Sequence, residues 1–161
     1  MYKIGVIGHS IEYISDCDRF KREINSVVDL IKFQYGENLV LNIGGNIGVG
    51  HWVAKTCIDF SIKYHLFMPG PIEETSKHWY ENQQKDMIKY FNRAWASTIC
   101  SPKYDSVNCY KLLADSSNFI MVFRADKRRE EVYDCIKHCL DTNKMVINGS
   151  SLKMITHTDL E

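Results

Sequence analysis

Apolar and polar positions change period repeatedly along this chain. Short apolar or β-branched runs occupy Lys3–Gly8, Leu39–Ile43, His65–Met68, Trp95–Cys100, Asn118–Phe123 and Lys144–Ile147. Each has the length and composition of a buried strand. Between the first two, Phe20, Ile24, Val27, Val28 and Ile31 recur at helical spacing. Asp16 or Asp18 is placed to cap that helix and Gly36 to close it. Val49, Val53, Cys57 and Phe60 or Ile62 predict a second helix running to about Tyr64. Pro69-Gly70-Pro71 halts the third strand, because proline cannot continue a central ladder. Residues 70–78 read as a loop, with Thr75 or Ser76 capping a helix that contains Trp79, Gln83, Met87, Ile88 and Phe91. Further helices are predicted over about Ser106–Ala114 and Glu130–Leu140. The tail, Asn148–Glu161, is polar apart from Leu152, Met154 and Ile155, and reads as an added edge strand or a free end.

Alternating strands and helices predict an α/β fold: a Rossmann-like three-layer α/β/α arrangement around a mainly parallel sheet. One domain is expected over residues 1–161, with its core at about 3–148 and a short C-terminal tail. In such sheets ligands bind beyond the carboxyl ends of the strands. The loops that matter are therefore Gly8-His9-Ser10, Gly44–Gly50, Pro69–Glu74, Ser101–Tyr104 and Arg124–Arg129, all of which follow strands.

Composition narrows the function classes. Lys+Arg and Asp+Glu are both 20, so no overall basic field draws nucleic acid to the chain, which makes it the less expected partner. No apolar run approaches the roughly 20 residues that span a bilayer. The first residues, Met-Tyr-Lys-Ile-Gly-Val-Ile-Gly, read as a strand rather than a signal peptide, and a cytoplasmic location is expected. The six cysteines are then expected as thiols. Cys135 and Cys139 lie on one helix beside His138, but no second pair is spaced to complete a four-ligand zinc site. Neither metal nor cofactor is expected.

The strongest chemical signal is Gly44-Gly45-Asn46-Ile47-Gly48-Val49-Gly50, between a strand and a helix. Glycines let backbone N–H groups approach an anion, and the helix N-terminus adds a favourable dipole. Gly44, Gly45, Asn46, Gly48, Val49 and Gly50 are thus expected to bind a phosphate-bearing ligand; close packing is the alternative use of the glycines. Gly8, His9 and Ser10 end the first strand. His9 could bond a ligand or cap loop carbonyls, and Ser10 could donate to a phosphate. Arg124, with Lys127, Arg128 and Arg129, could clamp an anion or form a solvated turn. Glu130 and Glu131 complement a helix dipole in the ordinary reading. In the sharper one, Glu131 is a catalytic carboxylate that stabilises or attacks an oxocarbenium-like ribosyl centre. Glu73 and Glu74 are candidates for ribose hydroxyls. Trp52 reads as core, and Trp79 as helix packing or a stacking lid.

Ile7-Gly8-His9-Ser10, the glycine loop, Met68-Pro69 with Trp79 and Gln83 or Gln84, and Leu112–Asn118 together resemble motifs of the SLOG superfamily of Rossmann-like proteins. That superfamily includes DprA and the LOG hydrolases, and the YpsA-type branch looks nearest. The resemblance spans roughly residues 3–148. It implies a nucleotide or nucleotide-derived (ADP-ribose-like) ligand, bound by a sensor or a sequestering protein. Homo-oligomerisation through helices is also implied, with Trp79–Phe91 as the candidate surface. The chain departs from the family in having Ser10 where an arginine follows Gly-His, and Gly50 where an aspartate follows Gly-Val. LOG hydrolases carry Pro-Gly-Gly-x-Gly-Thr-x-x-Glu after the late strand, whereas Phe123–Glu131 here has no glycine. Binding is therefore the first expectation, and N-glycosidic hydrolysis of nucleoside monophosphates the second.

Overall fold

The computed structural model describes residues 1–124 and 131–160. The basic residues Lys127, Arg128 and Arg129, and Glu130 beside them, lie outside the described residues. Among the described residues six strands form one parallel sheet: β1 (Tyr2–Gly8), β2 (Leu39–Gly44), β3 (Lys63–Met68), β4 (Ala96–Ile99), β5 (Phe119–Phe123) and β6 (Val146–Asn148). Their spatial order is β4-β3-β2-β1-β5-β6. The chain therefore steps outward from β1 to β4, then returns to the other side of β1 for β5 and β6. The reversal falls between β1 and β5, where Gly8 pairs with Phe123.

The helices are α1 (Cys17–Tyr35), α2 (Val49–Phe60), α3 (Ile72–Ser76), α4 (Glu81–Arg93), α5 (Ser106–Asp115) and α6 (Glu131–Asp141). Alternate side chains of each strand enter opposite layers. Ile4, Val6, Leu41 and Leu66 pack with α1, α2 and α4 through Phe20, Ile24, Val53 and Met87. Ile7, Ile120 and Val122 pack on the other face with α5 and α6 through Leu113 and Ile136. The fold is thus the three-layer arrangement read from the pattern. The α1 residues at helical spacing, Phe20, Ile24, Val27, Val28 and Ile31, are its buried face. Asp16 accepts from the Arg19 N–H, and Gly36 ends the helix with φ +58°.

Three details differ from the sequence reading. α2 stops at Phe60, because Ser61 turns left-handed and the chain enters β3 two residues later. Residues 70–78 are not simply a loop, since they contain α3, in which Thr75 and Ser76 are buried. The next helix is capped at Tyr80, not at Thr75 or Ser76: the Tyr80 N–H donates to Gln83 Oε1. Trp79 precedes that helix, and Met87 and Tyr90 are its buried residues, while Ile88 is half exposed. The tail folds back on the β6 edge. Asn148 N–H donates to the Lys153 carbonyl and Ile155 N–H to that of Val146, with Ile147 bridged antiparallel to Met154. Among the described residues no helix is long and apolar enough to cross a membrane.

Polar groups that read as motif are partly structural. Ser117, buried at the entry to β5, donates to the Leu113 carbonyl and accepts from Asn42 Nδ2 at 2.9 Å. This ties the middle of β2 to the end of α5. Asp115 bonds His138 at 2.8 Å and links α5 to α6.

Candidate functional site

The glycine loop and the first loop are joined by backbone. Ile11 N–H donates to the Ile47 carbonyl (2.9 Å), Val49 N–H to that of His9 (3.4 Å), and Ser10 and Gly48 form an antiparallel bridge. Asn46 Nδ2 reaches the Gly8 carbonyl at 3.4 Å. Several of the glycines in these loops are closely packed. A Cβ on Gly8 would lie 2.4 Å from Val49 Cγ2, one on Gly45 would lie 2.4 Å from Met68 Sδ, and one on Gly50 would lie 2.2 Å from the Gly44 carbonyl oxygen. Among the glycines of these two loops Gly44 has room, with Asn46 Oδ1 and Tyr110 Cε1 both 3.6 Å away. No side chain caps the N-terminus of α2. Its first-turn dipole therefore lies under the loop without a built-in acidic or hydroxyl partner.

A cleft of about 360 Å³, its open mouth included, lies over the carboxyl edge of the sheet. Ser10, Gly44, Gly45, Asn46 and Pro69 line it from the ends of β1, β2 and β3. Tyr104, Ser106, Cys109, Tyr110 and Glu131 line it from the β4–α5 side and from α6. The cleft continues past Ser10, Gly45 and Asn46 into a wider opening of about 930 Å³, walled by Trp79, Tyr80, His78 and Gln83. Glu131 accepts from Ser106 Oγ at 3.1 Å, which orients its carboxylate. Burial, and next the Glu131 carboxylate, push the Tyr104 phenol above its usual pKa, so Tyr104 is a neutral donor on the cleft wall.

The residues expected to bind ligand thus divide. Ser10, Gly44, Gly45, Asn46 and Glu131 share the cleft. Val49 is fully buried, with its side chain in the core. Gly8 and Gly48 sit where the two loops meet, and Gly50 packs on the Gly44 carbonyl within its own loop. His9 is fully buried, edge-on to the Tyr13 ring, and does not line the cleft. Arg124 turns the other way. Its guanidinium lies 5.6 Å from the Tyr133 ring centre, and it lines a separate depression with Asn148, Lys153 and Asp159. Glu73 and Glu74 belong to α3, and neither lines the cleft. Tyr104, Ser106 and Tyr110 were not anticipated as site residues. Only the position of Ser101–Tyr104 after a strand pointed toward them.

His51, in the first turn of α2, is a core histidine. It sits between the rings of Trp79 and Tyr90 at 5.4 and 5.2 Å. Burial lowers its pKa to about 4. The unfolded chain takes up this proton near pH 6.5, before the folded one does. The stabilisation is complete above pH 6.5 and is lost as the pH falls toward 4. Urea unfolding should show about 2 to 3 kcal/mol less stability at pH 4.5 than at pH 7 from this group. Asp86, Lys21 and Lys55 border the same depression. The difference between wild type and His51→Phe therefore isolates the histidine, and equal pH slopes in the two proteins would refute the assignment. Among the described residues no three His, Cys, Asp or Glu side chains gather to hold a metal ion.

The sheet order is that of a Rossmann-like fold, and solved structures share it over most of this chain. DNA processing protein A (DprA) from Streptococcus pneumoniae superposes with a TM-score of 0.70 over 91% of this chain and 50% of its own, at 12% identity. The Helicobacter pylori DprA, whose single-stranded DNA binding mode has been described, matches with a TM-score of 0.65 at 14% identity, over 91% of this chain and 64% of that one. The molybdenum cofactor carrier protein of Chlamydomonas reinhardtii matches with a TM-score of 0.59 at 15% identity, over 91% and 75%. The chain thus spans half to two thirds of the DprA proteins it resembles. No family model matches the sequence, and no curated protein matches it.

Proposed function

We propose that the cleft binds a nucleotide or a nucleotide-derived ligand such as an ADP-ribose-like molecule, and that binding itself, as sensor or sequestering protein, is the function. The observation that carries this reading is the convergence of Ser10, Gly44, Gly45 and Asn46 with Tyr104 and Tyr110 on one cleft at the carboxyl edge of a parallel sheet. The chemistry fits. Small residues and the uncapped α2 dipole suit phosphate, while tyrosine rings and the Trp79 side of the opening suit a base. The fold neighbours add a DNA-binding protein and a cofactor carrier, both compatible with a nucleotide-like ligand. A zero net charge favours a small molecule over a nucleic-acid strand.

A second reading rests on Glu131. Its carboxylate lines the cleft with the glycine loop and is oriented by Ser106. A carboxylate so placed could stabilise the ribosyl cation of a nucleoside monophosphate during N-glycosidic cleavage. Incubation with nucleoside monophosphates and NAD separates the two. The binding reading expects AMP at about 100 Kd to raise Tm by about 5 °C or more, with no free adenine. Adenine release that disappears in Glu131→Gln would make the protein a hydrolase. Absence of any shift across the panel would remove the nucleotide reading.

A further inference from the structure

Two thiols on the wall of the cleft are close enough to react with each other. Cys100 Sγ and Cys109 Sγ are 3.4 Å apart, against roughly 2.04 Å in a disulfide. They come from different elements: Cys100 follows the last residue of β4, and Cys109 lies in the first turns of α5. Cys109 lines the cleft, is almost fully buried, and donates to the Phe67 carbonyl at 3.4 Å. Cys100 is partly exposed. The other cysteines lack this combination. Cys57 is enclosed in the core, Cys135 and Cys139 are both buried on α6, and Cys17 donates to the Ile14 carbonyl.

We propose that Cys100 and Cys109 form a reversible disulfide in response to hydroperoxides, and that this bond controls the shape of the cleft. Cys100 is the attacking thiol. It is the accessible one, and the hydrogen bond between the two sulfurs holds it below the usual thiol pKa, while Cys109 is raised. The Cys100 thiolate attacks one peroxide oxygen. The O–O bond breaks, the attacked terminal OH becomes the sulfenic acid, and the departing alkoxide, or hydroxide from hydrogen peroxide, is protonated to the alcohol or to water. Cys109 then gives up its proton and attacks the sulfenic sulfur. The S–O bond breaks, and the second oxygen leaves as water. Two thiols and one hydroperoxide become one disulfide, one water and one alcohol, or two waters when the oxidant is hydrogen peroxide. A dithiol reverses the reaction by exchange.

The bond closes a ring through Tyr104 and Ser106, two residues of the cleft wall. It also draws Cys109 off the Phe67 carbonyl, so the wall beside Gly44 must move. The effect on the ligand rests on the nucleotide reading; the disulfide does not. Native protein is treated with hydrogen peroxide, alkylated and digested, and cross-linked peptides are mapped by mass spectrometry. A link between Cys100 and Cys109, reversed by dithiothreitol, is the expected result. In Cys109→Ser, a dimedone adduct should appear on Cys100. In Cys100→Ser, no intramolecular link should form. Full alkylation of both thiols after peroxide, or links confined to other cysteines, would overturn the pair. AMP binding to the reduced and linked proteins is then compared by calorimetry, with at least a fivefold change in Kd expected. Equal Kd values would overturn the coupling. Failure of AMP to bind even the reduced protein would overturn the nucleotide reading and with it the coupling, while the mapped link would stand.

Discussion

Gly44→Asp should abolish the stabilisation by AMP and leave the fold intact. Gly44 is the glycine of the loop that can carry a side chain, since an added Cβ meets Asn46 and Tyr110 only at an ordinary 3.6 Å. Both neighbours line the cleft, so the new carboxylate enters the space assigned to phosphate. Two like charges about 4 Å apart repel by about 4 kcal/mol at an effective dielectric of 20, which is a loss of roughly a thousandfold in affinity. Gly44→Asn is the matched control, with nearly the same volume and no charge. It should retain a weakened AMP shift, whereas the aspartate variant shows none. Calorimetry of both, after circular dichroism establishes their folds, checks the claim. A folded Gly44→Asp protein that binds AMP as well as wild type would place the phosphate elsewhere. Gly45 is the poorer choice for this test, because a side chain there collides with Met68 and its effect could be one of folding alone.

That distinction between Gly44 and Gly45 was invisible in the sequence. The four glycines of Gly44–Gly50 read as one phosphate-binding motif. The structure instead divides them: Gly48 packs on the β1 loop, Gly45 on Met68 and Gly50 on the Gly44 carbonyl, while Gly44 borders the cleft. What the sequence did encode was periodicity. α1 shows its buried face residue for residue, because apolar side chains at helical spacing leave little choice of orientation. The strands were legible for the same reason, being apolar runs between glycine, proline and polar breaks. α3 was not, since Pro69-Gly70-Pro71 announces a turn and five residues are too few to show a helical period. The cleft was half legible. Strand-end loops identify Ser10, Gly44 and Asn46 once the sheet is known to be parallel. Glu131 joins them because β5 lies beside β1. Tyr104 and Tyr110 depend on where the chain travels after the edge strand β4, a tertiary outcome no local pattern records. Arg124 shows the converse: a strand-end position does not fix a side-chain direction, and its guanidinium goes to Tyr133.

The junction of the two loops yields the largest expected effect on stability. Gly48 has φ +123°, and a Cβ there would lie 2.7 Å from both the His9 carbonyl oxygen and the Ile11 nitrogen. Gly48→Ala therefore carries two costs. The backbone conformation costs about 1–3 kcal/mol for a residue with a Cβ. The collision costs about as much again, because the opposing atoms are backbone and already held by the Ile11–Ile47 and Val49–His9 bonds. A combined loss of about 3–5 kcal/mol is a large share of the roughly 5–15 kcal/mol by which a domain is stable. Gly36→Ala separates the two costs. Gly36 also has positive φ, at +58°, but an added Cβ meets nothing within 4 Å. It should lose only the conformational part, about 1–3 kcal/mol. Urea unfolding of the two variants measures the difference, which is the contribution of close contact between the β1 loop and the glycine loop. If Gly48→Ala were no worse than Gly36→Ala, the loops would be free to part. The α2 N-terminus would then no longer be held in place by the first strand, and the cleft would lose the rigidity on which a preformed phosphate site depends.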